Sequence, residues 1–249
     1  MKRLIKRAFS RAGIYYAKRQ CMPCGIDWLW DIRRVARGLP VRTVFDVGAN
    51  VGQTTRLIKE RFADADVHAF EPVSATYQSL ERAVAQLEGV TCHRMALSDR
   101  VGRVAMTSEA NSPLNRIVPI GCESGLAPDR LEDVETETID RFCRARQIER
   151  LDILKVDAEG ADLKVLQGAE RMLHEGRVAF VFAEVGFNAS DQGHVHVVAL
   201  LEQLIGAGME PYSFYDYCRL RPPSYEEEGF GLVFANVLFL NPLAISRLR

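Results

Sequence analysis

The feature that most constrains the fold of this chain is the alternation, from residue 41 onward, of short apolar runs with longer segments of helical periodicity. Such an alternation is typical of a parallel sheet whose strands are joined by helices covering both faces. We predict strands at 43–47, 66–70, 90–95, 152–156 and 178–184, and helices near 53–62, 74–87, 140–147 and 161–174. The pattern therefore predicts an α/β fold with a doubly wound, mostly parallel sheet.

The last quarter of the chain follows a different pattern. After the fifth strand we predict a helix near 193–206 and then two strands, near 210–217 and 231–240, with no helix between them. Residues 108–130 are rich in glycine, proline and asparagine, which predicts a loop.

The first 40 residues differ from the rest, and we predict a basic amphipathic helical extension followed by one α/β domain over residues 41–249. The first twenty residues hold seven Lys or Arg and no acid, interleaved with apolar residues. A further helix is predicted near 26–37. Residues 1–20 either pack on their own domain or make a peripheral contact with an anionic membrane.

Apolar runs and cysteines bear on where the protein resides. No apolar run approaches the roughly 18–20 residues that a membrane-spanning helix needs. We find no secretory signal, and the six cysteines are scattered, so we interpret them as reduced thiols rather than a disulfide framework. These features predict a cytoplasmic protein whose basic segment is the candidate for contact with the inner face of the membrane.

The strongest local signal is the strand 43–47, which runs into the turn Gly48-Ala49-Asn50-Val51-Gly52 and then into a helix. The two glycines allow a tight turn and a close approach of the backbone to a ligand. The turn lacks the glycine spacing of the dinucleotide fingerprint and the lysine of a P-loop, which disfavours NAD and ATP. Asp46 would repel phosphates, but it suits a ligand with ammonium and sulfonium cations, as in S-adenosylmethionine.

A second acid follows the next strand. Glu71 stands directly after the strand 66–70 and before Pro72, which ends that strand. At this place in such a fold, an acid accepts hydrogen bonds from the ribose hydroxyls of a nucleoside cofactor. The turn and Glu71 together therefore predict a nucleoside-cofactor site.

Charged residues also occur in the strand 152–156, which should be covered on both faces. Strand alternation puts Lys155 and Asp157 on the same side, as a structural ion pair or as part of a site. Glu184 ends the next strand, so we expect it beside Asp157 at the carboxyl edge, where open α/β sheets bind ligands. The two carboxylates could divide acid–base work or hold a divalent metal such as Mg²⁺.

Several blocks, in the same order, make the chain resemble the FkbM family of methyltransferases. They span roughly residues 43–185 and are Asp46-Val47-Gly48-Ala49-Asn50-Val51-Gly52, Phe70-Glu71-Pro72, Ala96-Leu97-Ser98-Asp99, Thr138-Ile139-Asp140, Lys155-Val156-Asp157-Ala158-Glu159-Gly160, Gly168-Ala169 and Ala183-Glu184-Val185. One departure is Asp162, where the family more often has glutamate, and we expect little consequence from it.

The resemblance implies a Rossmann-like class I methyltransferase fold with a mostly parallel seven-stranded sheet, helices on both faces and a C-terminal hairpin. It implies S-adenosylmethionine as the cofactor, bound by Asp46, Gly48, Ala49, Asn50, Gly52, Glu71, Pro72, Ser98 and Asp99. It also implies O-methylation of a sugar, glycan or polyketide-like small molecule. We expect Asp157 nearest the acceptor hydroxyl, as general base or metal ligand, with Glu184 and Lys155 as further catalytic residues.

Two other functions remain as alternatives, RNA methylation and a non-catalytic cofactor-binding module. Residues 41–249 hold 31 acidic against 22 basic residues, so we expect no nucleic-acid partner. The presence of both Asp157 and Glu184 opposes a non-catalytic module. Candidate acceptor contacts are His194, His196, Tyr215, Asp216 and Tyr217, whereas we expect core or capping roles for His68, His93 and His174.

Overall fold

The strands pair into one large and one small sheet in a computed structural model that describes residues 22–108, 115–118, 130–188, 193–219 and 232–247. The expectations for residues 1–20, including the membrane contact, lie outside the described residues. Within the described ranges, no helix has the length and apolar character needed to cross a membrane.

The helices and strands follow one another in an order close to that predicted. In chain order they are α1 (Trp28–Val35), β1 (Thr43–Val47), α2 (Gln53–Arg61), β2 (Asp66–Phe70), α3 (Ser74–Val84), β3 (Val90–His93), β4 (Ala96–Leu97), β5 (Gly102–Thr107), β6 (Leu131–Glu137), α4 (Ile139–Ala145), β7 (Leu151–Val156), α5 (Asp162–Gln167), α6 (Glu170–His174), β8 (Val178–Gly186), α7 (Val197–Gly206), β9 (Glu210–Arg219), β10 (Leu232–Leu240) and α8 (Pro242–Ser246).

The large sheet has the order β3-β2-β1-β7-β8-β10-β9. Strands β3, β2, β1, β7 and β8 pair in parallel, whereas β10 is antiparallel to both of its neighbours. Val47 pairs with Phe70 on one side and with Val156 on the other, so these strands end at one edge. The Rossmann-like class I methyltransferase fold with its closing hairpin is therefore confirmed.

The central strands are covered on both faces because successive side chains of a strand point to opposite sides. Along β1, Phe45 packs with Phe142 on one face, and Val44 packs with Ile153 on the other. All six residues of β7 are buried. Each such apolar side chain contributes about 1.5–3 kcal/mol when it leaves water, so the sheet centre is a rigid base for the edge above it.

Helix α1 is part of this core. The Asp27 side chain caps its start by accepting the Trp30 N–H at 2.9 Å. Leu29 and Ile32 are buried against the second face of the sheet, and the Trp28 ring stacks on Phe182 with centroids 4.2 Å apart. The predicted boundary after residue 40 therefore does not separate two packing units, because the chain from α1 onward shares one core.

A small sheet of order β4-β6-β5 was not predicted, and its strands flank the region that we expected to be a loop. The strand predicted at 90–95 also ends earlier, because Ala96 and Leu97 pair with β6 instead. The acid-rich run of β6 buries only Val134 and Thr136, so its apolar signal is weak.

The helix predicted at 161–174 is two helices, α5 and α6, separated at Gly168 and Ala169. A side chain at Gly168 would place its Cβ 2.0 Å from the carbonyl oxygen of Ser98. This close approach needs a residue without a Cβ, and helical periodicity alone does not reveal it.

Candidate active site

A cavity opens at the carboxyl edge of the sheet, where the loops after β1, β2 and β7 meet. It holds about 710 Å³ of space, a volume that includes the solvent at its open mouth. Its polar lining comes from Gly48, Asn50, Glu71, Asp157 and Glu159. Its apolar lining includes Phe70, Met95, Leu97, Met106 and Ile117. An apolar wall facing a few polar groups suits a nucleoside.

The loop after β1 approaches the loop after β7 so closely that only glycine fits. Gly48 has a φ of +72°, and a Cβ there would lie 1.8 Å from the carbonyl oxygen of Asp157. Gly52 has a φ of +87° and directly precedes α2. A Cβ built on Gly52 would lie 3.0 Å from the side chain of Leu80. The structure therefore corrects our reason for both glycines, because each makes room for neighbouring protein atoms. Gly48 lines the cavity, whereas Gly52 lies behind it.

Lys155 lies beneath this loop and ties it to β7. Its Nζ lies 3.2 Å from Asp46 and 3.3 Å from Asp157, and it donates to the Gly48 carbonyl at 3.0 Å. Burial alone would lower the pKa of Lys155, but the two carboxylates raise it above its ordinary value. Lys155 is therefore a cation that fixes the positions of Gly48 and Asp157.

Asp46 is fully buried and does not line the cavity. It accepts the Thr55 hydroxyl at 2.6 Å in addition to its contact with Lys155. The prediction that Asp46 contacts the cofactor directly is therefore corrected, because its buried carboxylate is paired with Lys155. Asp46 acts on the site by holding the lysine in place.

Glu71 lines the cavity on the side of β2. Its carboxylate accepts the N–H of Asn50 at 3.2 Å and that of Val73 at 3.0 Å. Burial raises the pKa of Glu71 to about 7 in spite of these two donors. The side-chain oxygen of Asn50 is buried without a hydrogen-bond partner in the described part of the chain. A ligand with hydroxyls can donate to both groups, so this corner fits the ribose of S-adenosylmethionine.

Glu159 is a candidate that our sequence reasoning did not single out. It follows Asp157 in the loop after β7, lines the cavity and has a φ of +49°, which is strained for a glutamate. Burial, Asp157 and Glu184 raise the pKa of Glu159 to about 7. The signal that could have revealed it is the Glu159-Gly160 pair directly after a strand.

Asp162 shapes the same loop from the start of α5. It is buried and accepts the N–H of Ala158 at 3.0 Å. Burial raises the pKa of Asp162 to about 6. The residue that departs from the family pattern therefore holds the turn between Asp157 and α5.

Glu184 stands near the end of β8, beside the loop that carries Asp157. Burial, followed by the charge of Asp157, raises the pKa of Glu184 to about 7. Its Oε2 lies 3.2 Å from Nε2 of His194. The His194 ring stacks on Phe234 with centroids 4.9 Å apart. Glu184 and His194 do not line the cavity itself. Because Val156 pairs with Ala183, Glu184 lies next to Asp157, which does line it.

The two carboxylates predicted as metal candidates do not fit a divalent cation. Asp157 faces the Lys155 ammonium at 3.3 Å, and Glu184 faces His194. A dication would be repelled by that ammonium. Within the described residues, no group of three or more His, Cys, Asp or Glu could hold a metal ion.

Three residues predicted to bind the cofactor lie away from the cavity, whereas Pro72 lines it. Ala49 is buried against Leu80 and Val84. The Ser98 hydroxyl donates to Asp99 at 3.0 Å, and the Ser98 carbonyl lies under Gly168. Ala49, Ser98 and Asp99 therefore contact other parts of the protein and do not face the cavity.

The other polar candidates divide in the same way. Tyr215 is fully buried and donates to Asp31 at 2.7 Å, so its role as an acceptor contact is wrong. His196 caps α7. Asp216 and Tyr217 are exposed on β9. His68 and His93 are half-buried, with ring nitrogens 3.0 Å apart and aromatic contacts to Phe142, and His174 ends α6.

Comparison with known proteins identifies the family. Residues 46–208 match the Methyltransferase FkbM domain. The chain is 30% identical over 155 residues to Methyltransferase sdnD of Sordaria araneosa, which covers 51% of this chain and 60% of that relative. It is 28% identical over 188 residues to 31-O-demethyl-FK506 methyltransferase FkbM of Streptomyces tacrolimicus, covering 65% and 71%. It is 22% identical over 179 residues to 2-O-methyltransferase NoeI of Sinorhizobium fredii, covering 66% and 72%. The chain belongs to the FkbM family of methyltransferases.

Proposed function

We propose that the protein is an S-adenosylmethionine-dependent O-methyltransferase that acts on a hydroxyl of a sugar, a glycan or a polyketide-like small molecule. The observation that carries the proposal is one cavity shared by Glu71 and Asp157, which follow strands on opposite sides of β1. Two relatives, NoeI and FkbM, are named as O-methyltransferases. Their names support oxygen as the atom that receives the methyl group.

The cofactor side of the cavity lies over β1 and β2. Glu71 and the side-chain oxygen of Asn50 would accept hydrogen bonds from the ribose hydroxyls, and the methionine part would lie along the loop that contains Gly48. The adenine would face the apolar wall that includes Phe70 and Met95. When bound, S-adenosylmethionine supplies an electrophilic methyl group on a sulfonium.

The acceptor side lies over β7 and β8. Asp157 has a side chain 40% exposed, and its charge is held by Lys155, so it can accept a hydrogen bond from an incoming hydroxyl. That hydrogen bond would orient the oxygen toward the methyl carbon. Orientation of this kind lowers the barrier by fixing the reacting atoms in advance.

The proposal is tested by a screen for acceptors that uses the full chain and S-adenosylmethionine with a radiolabelled methyl group. We expect label in hydroxyl compounds such as methyl glycosides and macrolide alcohols. The variant Asp157→Asn should keep cofactor affinity and lose roughly 10²-fold in turnover, because the acceptor hydroxyl is held less well in line with the methyl carbon. Asp64→Asn, at an exposed acid after α2, is the matched control and should leave turnover unchanged.

The metal hypothesis is tested in the same assay. Because Lys155 and His194 face the two carboxylates, we expect treatment with a chelator to leave methyl transfer unchanged. Activity that is lost on chelation and restored by Mg²⁺ would contradict our interpretation that Asp157 and Glu184 do not bind a divalent metal. Label in RNA, with none in hydroxyl small molecules, would overturn the proposed acceptor class.

A further inference from the structure

Asp157 follows β7, Glu184 stands near the end of the neighbouring strand β8, and the partners of these two acidic side chains differ. Asp157 lies 3.3 Å from the Lys155 ammonium, which is itself held by Asp46 and by the Gly48 carbonyl. The Asp157 carboxylate is therefore held in place by a fixed, buried ammonium. A carboxylate fixed in this way can orient a hydroxyl.

Glu184 has no lysine or arginine within ion-pair distance in the described part of the chain, and its ion-pair partner there is His194, 3.2 Å away. Its side chain is 21% exposed, so a hydroxyl can approach it. The negative charges of Asp157 and Asp162 raise the pKa of Glu184. The pKa of Glu159 is raised as well, but Glu184 differs in lying within contact distance of a ring nitrogen of His194, which can orient its carboxylate.

His194 is held in a fixed orientation. Its ring stacks on Phe234 of β10 with an interplanar angle of 15°. The segment that carries it is pinned to the end of β8, because the Gly186 N–H donates to the Val195 carbonyl at 2.9 Å. A bridge between Gly186 and His196 adds to this attachment. His194 can therefore present Nε2 to Glu184 reproducibly.

We propose, on the basis of the proposed function, that Glu184 is the general base of the reaction and that His194 is its positioning residue. The acceptor oxygen forms a bond to the methyl carbon as the carbon–sulfur bond breaks with its electron pair remaining on sulfur. The hydroxyl proton goes to the Glu184 carboxylate, which keeps its Oε2 contact with Nε2 of His194, and then to solvent. Asp157 orients the same hydroxyl.

The charges around Glu184 set the sign of the expected pH dependence. Burial, then Asp157 and Asp162, raise the pKa of Glu184, whereas His194 and Lys155 lower it, and the result is about 7. A base with this pKa is ionised above neutral pH, so turnover should rise with pH through about 7. Removal of His194 should move the midpoint to higher pH.

The test uses four variants of the full chain. Glu184→Gln removes the base, and His194→Phe removes the nitrogen while keeping a ring to stack on Phe234. His196→Asn is the matched control, because asparagine also caps a helix. Asp157→Asn separates orientation from proton removal. The binding of S-adenosylhomocysteine is measured for each variant by calorimetry, and methyl transfer into a pool of methyl glycosides is measured from pH 5.5 to 9.

We expect Glu184→Gln to lose roughly 10²–10⁴-fold in kcat together with the rise near pH 7. His194→Phe should move the rise to higher pH, and Asp157→Asn should move it to lower pH, because that variant loses a negative charge that raises the pKa of Glu184. His196→Asn should keep the midpoint. A second readout needs no acceptor: the ¹³C carboxyl resonance that Glu184→Gln removes should titrate near pH 7, and at higher pH in His194→Phe.

The outcomes separate this inference from the proposed function. A wild-type chain that binds no S-adenosylhomocysteine contradicts the proposed function itself. If the wild type binds and transfers methyl while Glu184→Gln keeps the rise near pH 7, the assignment of the base alone is overturned. A Glu184 resonance that does not move in His194→Phe would overturn the positioning role.

Discussion

Gly48 offers the sharpest test of how the loops after β1 and β7 form the cavity. In Gly48→Ala the new Cβ would lie 1.8 Å from the carbonyl oxygen of Asp157, whereas real Cβ contacts do not come under 3.0 Å. The φ of +72° adds the cost of a left-handed alanine. The loops must therefore separate by roughly 1 Å, and backbone shifts of that kind are costly. Such a separation would strain the Lys155 contact with the Gly48 carbonyl.

Gly208→Ala is the matched control for Gly48→Ala. Gly208 has a similar φ of +78°, but no atom lies within 4 Å of a Cβ built there. Its substitution should lower the free energy of unfolding by about 1–2 kcal/mol, the cost of the left-handed conformation alone. Gly48→Ala should cost about 3–5 kcal/mol and abolish binding of S-adenosylhomocysteine. The assays are urea denaturation and calorimetric titration. Equal destabilisation by the two substitutions, with binding intact, would refute the close approach as the reason for glycine.

Three further predictions concern single side chains. Burial raises the pKa of Glu159 from 4.5 to about 7, so the native state favours the protonated carboxyl. The ionised carboxylate therefore lowers the free energy of unfolding, by an amount that grows from about pH 4.5 to about pH 7 and stays constant above that. Glu159→Gln should therefore raise Tm at pH 8, whereas Glu88→Gln, at an exposed site, should leave it unchanged. Tyr215→Phe should lower the free energy of unfolding by about 1.5–3 kcal/mol, because the hydrogen bond to Asp31 is lost, and methyl transfer should be unaffected. Loss of activity in a stably folded variant would instead show that Tyr215 belongs to the active site. Since the pKa of Glu71 is about 7, its ionised form should raise the affinity for S-adenosylhomocysteine about tenfold between pH 6 and pH 8, and a flat profile would exclude that contact.

The central sheet could be predicted because its strands carry the signals that sequence patterns detect. The bounds of β1 and β2 agree with the prediction, since each strand is an apolar run followed by a turn. The small sheet could not be predicted in this way. Its strands β5 and β6 bury only Met106, Val134 and Thr136, and the charged residues between them obscure the alternation of apolar and polar residues.

The candidate site was predicted in outline, but several roles differ. Sequence order places Asp46 and Lys155 on separate strands, and only the register reveals that they are direct neighbours. Asp46 therefore looked like a cofactor contact when it is a partner of the lysine. Glu159 escaped attention because a positive φ in a loop cannot be inferred from residue type. Ser98 belongs to one of the sequence blocks that resemble the FkbM family, which suggested a contact with the cofactor. In the structure its carbonyl oxygen instead packs closely against Gly168.

The central claim is that the cavity beside Glu71 binds S-adenosylmethionine. The most direct measurement is calorimetric titration of S-adenosylhomocysteine into the full chain at pH 8, where Glu71 is ionised. We predict one site per chain, at least tenfold weaker binding in Glu71→Gln, and unchanged binding in Glu88→Gln. Absence of binding to the wild type, or equal affinity in Glu71→Gln, would contradict the account.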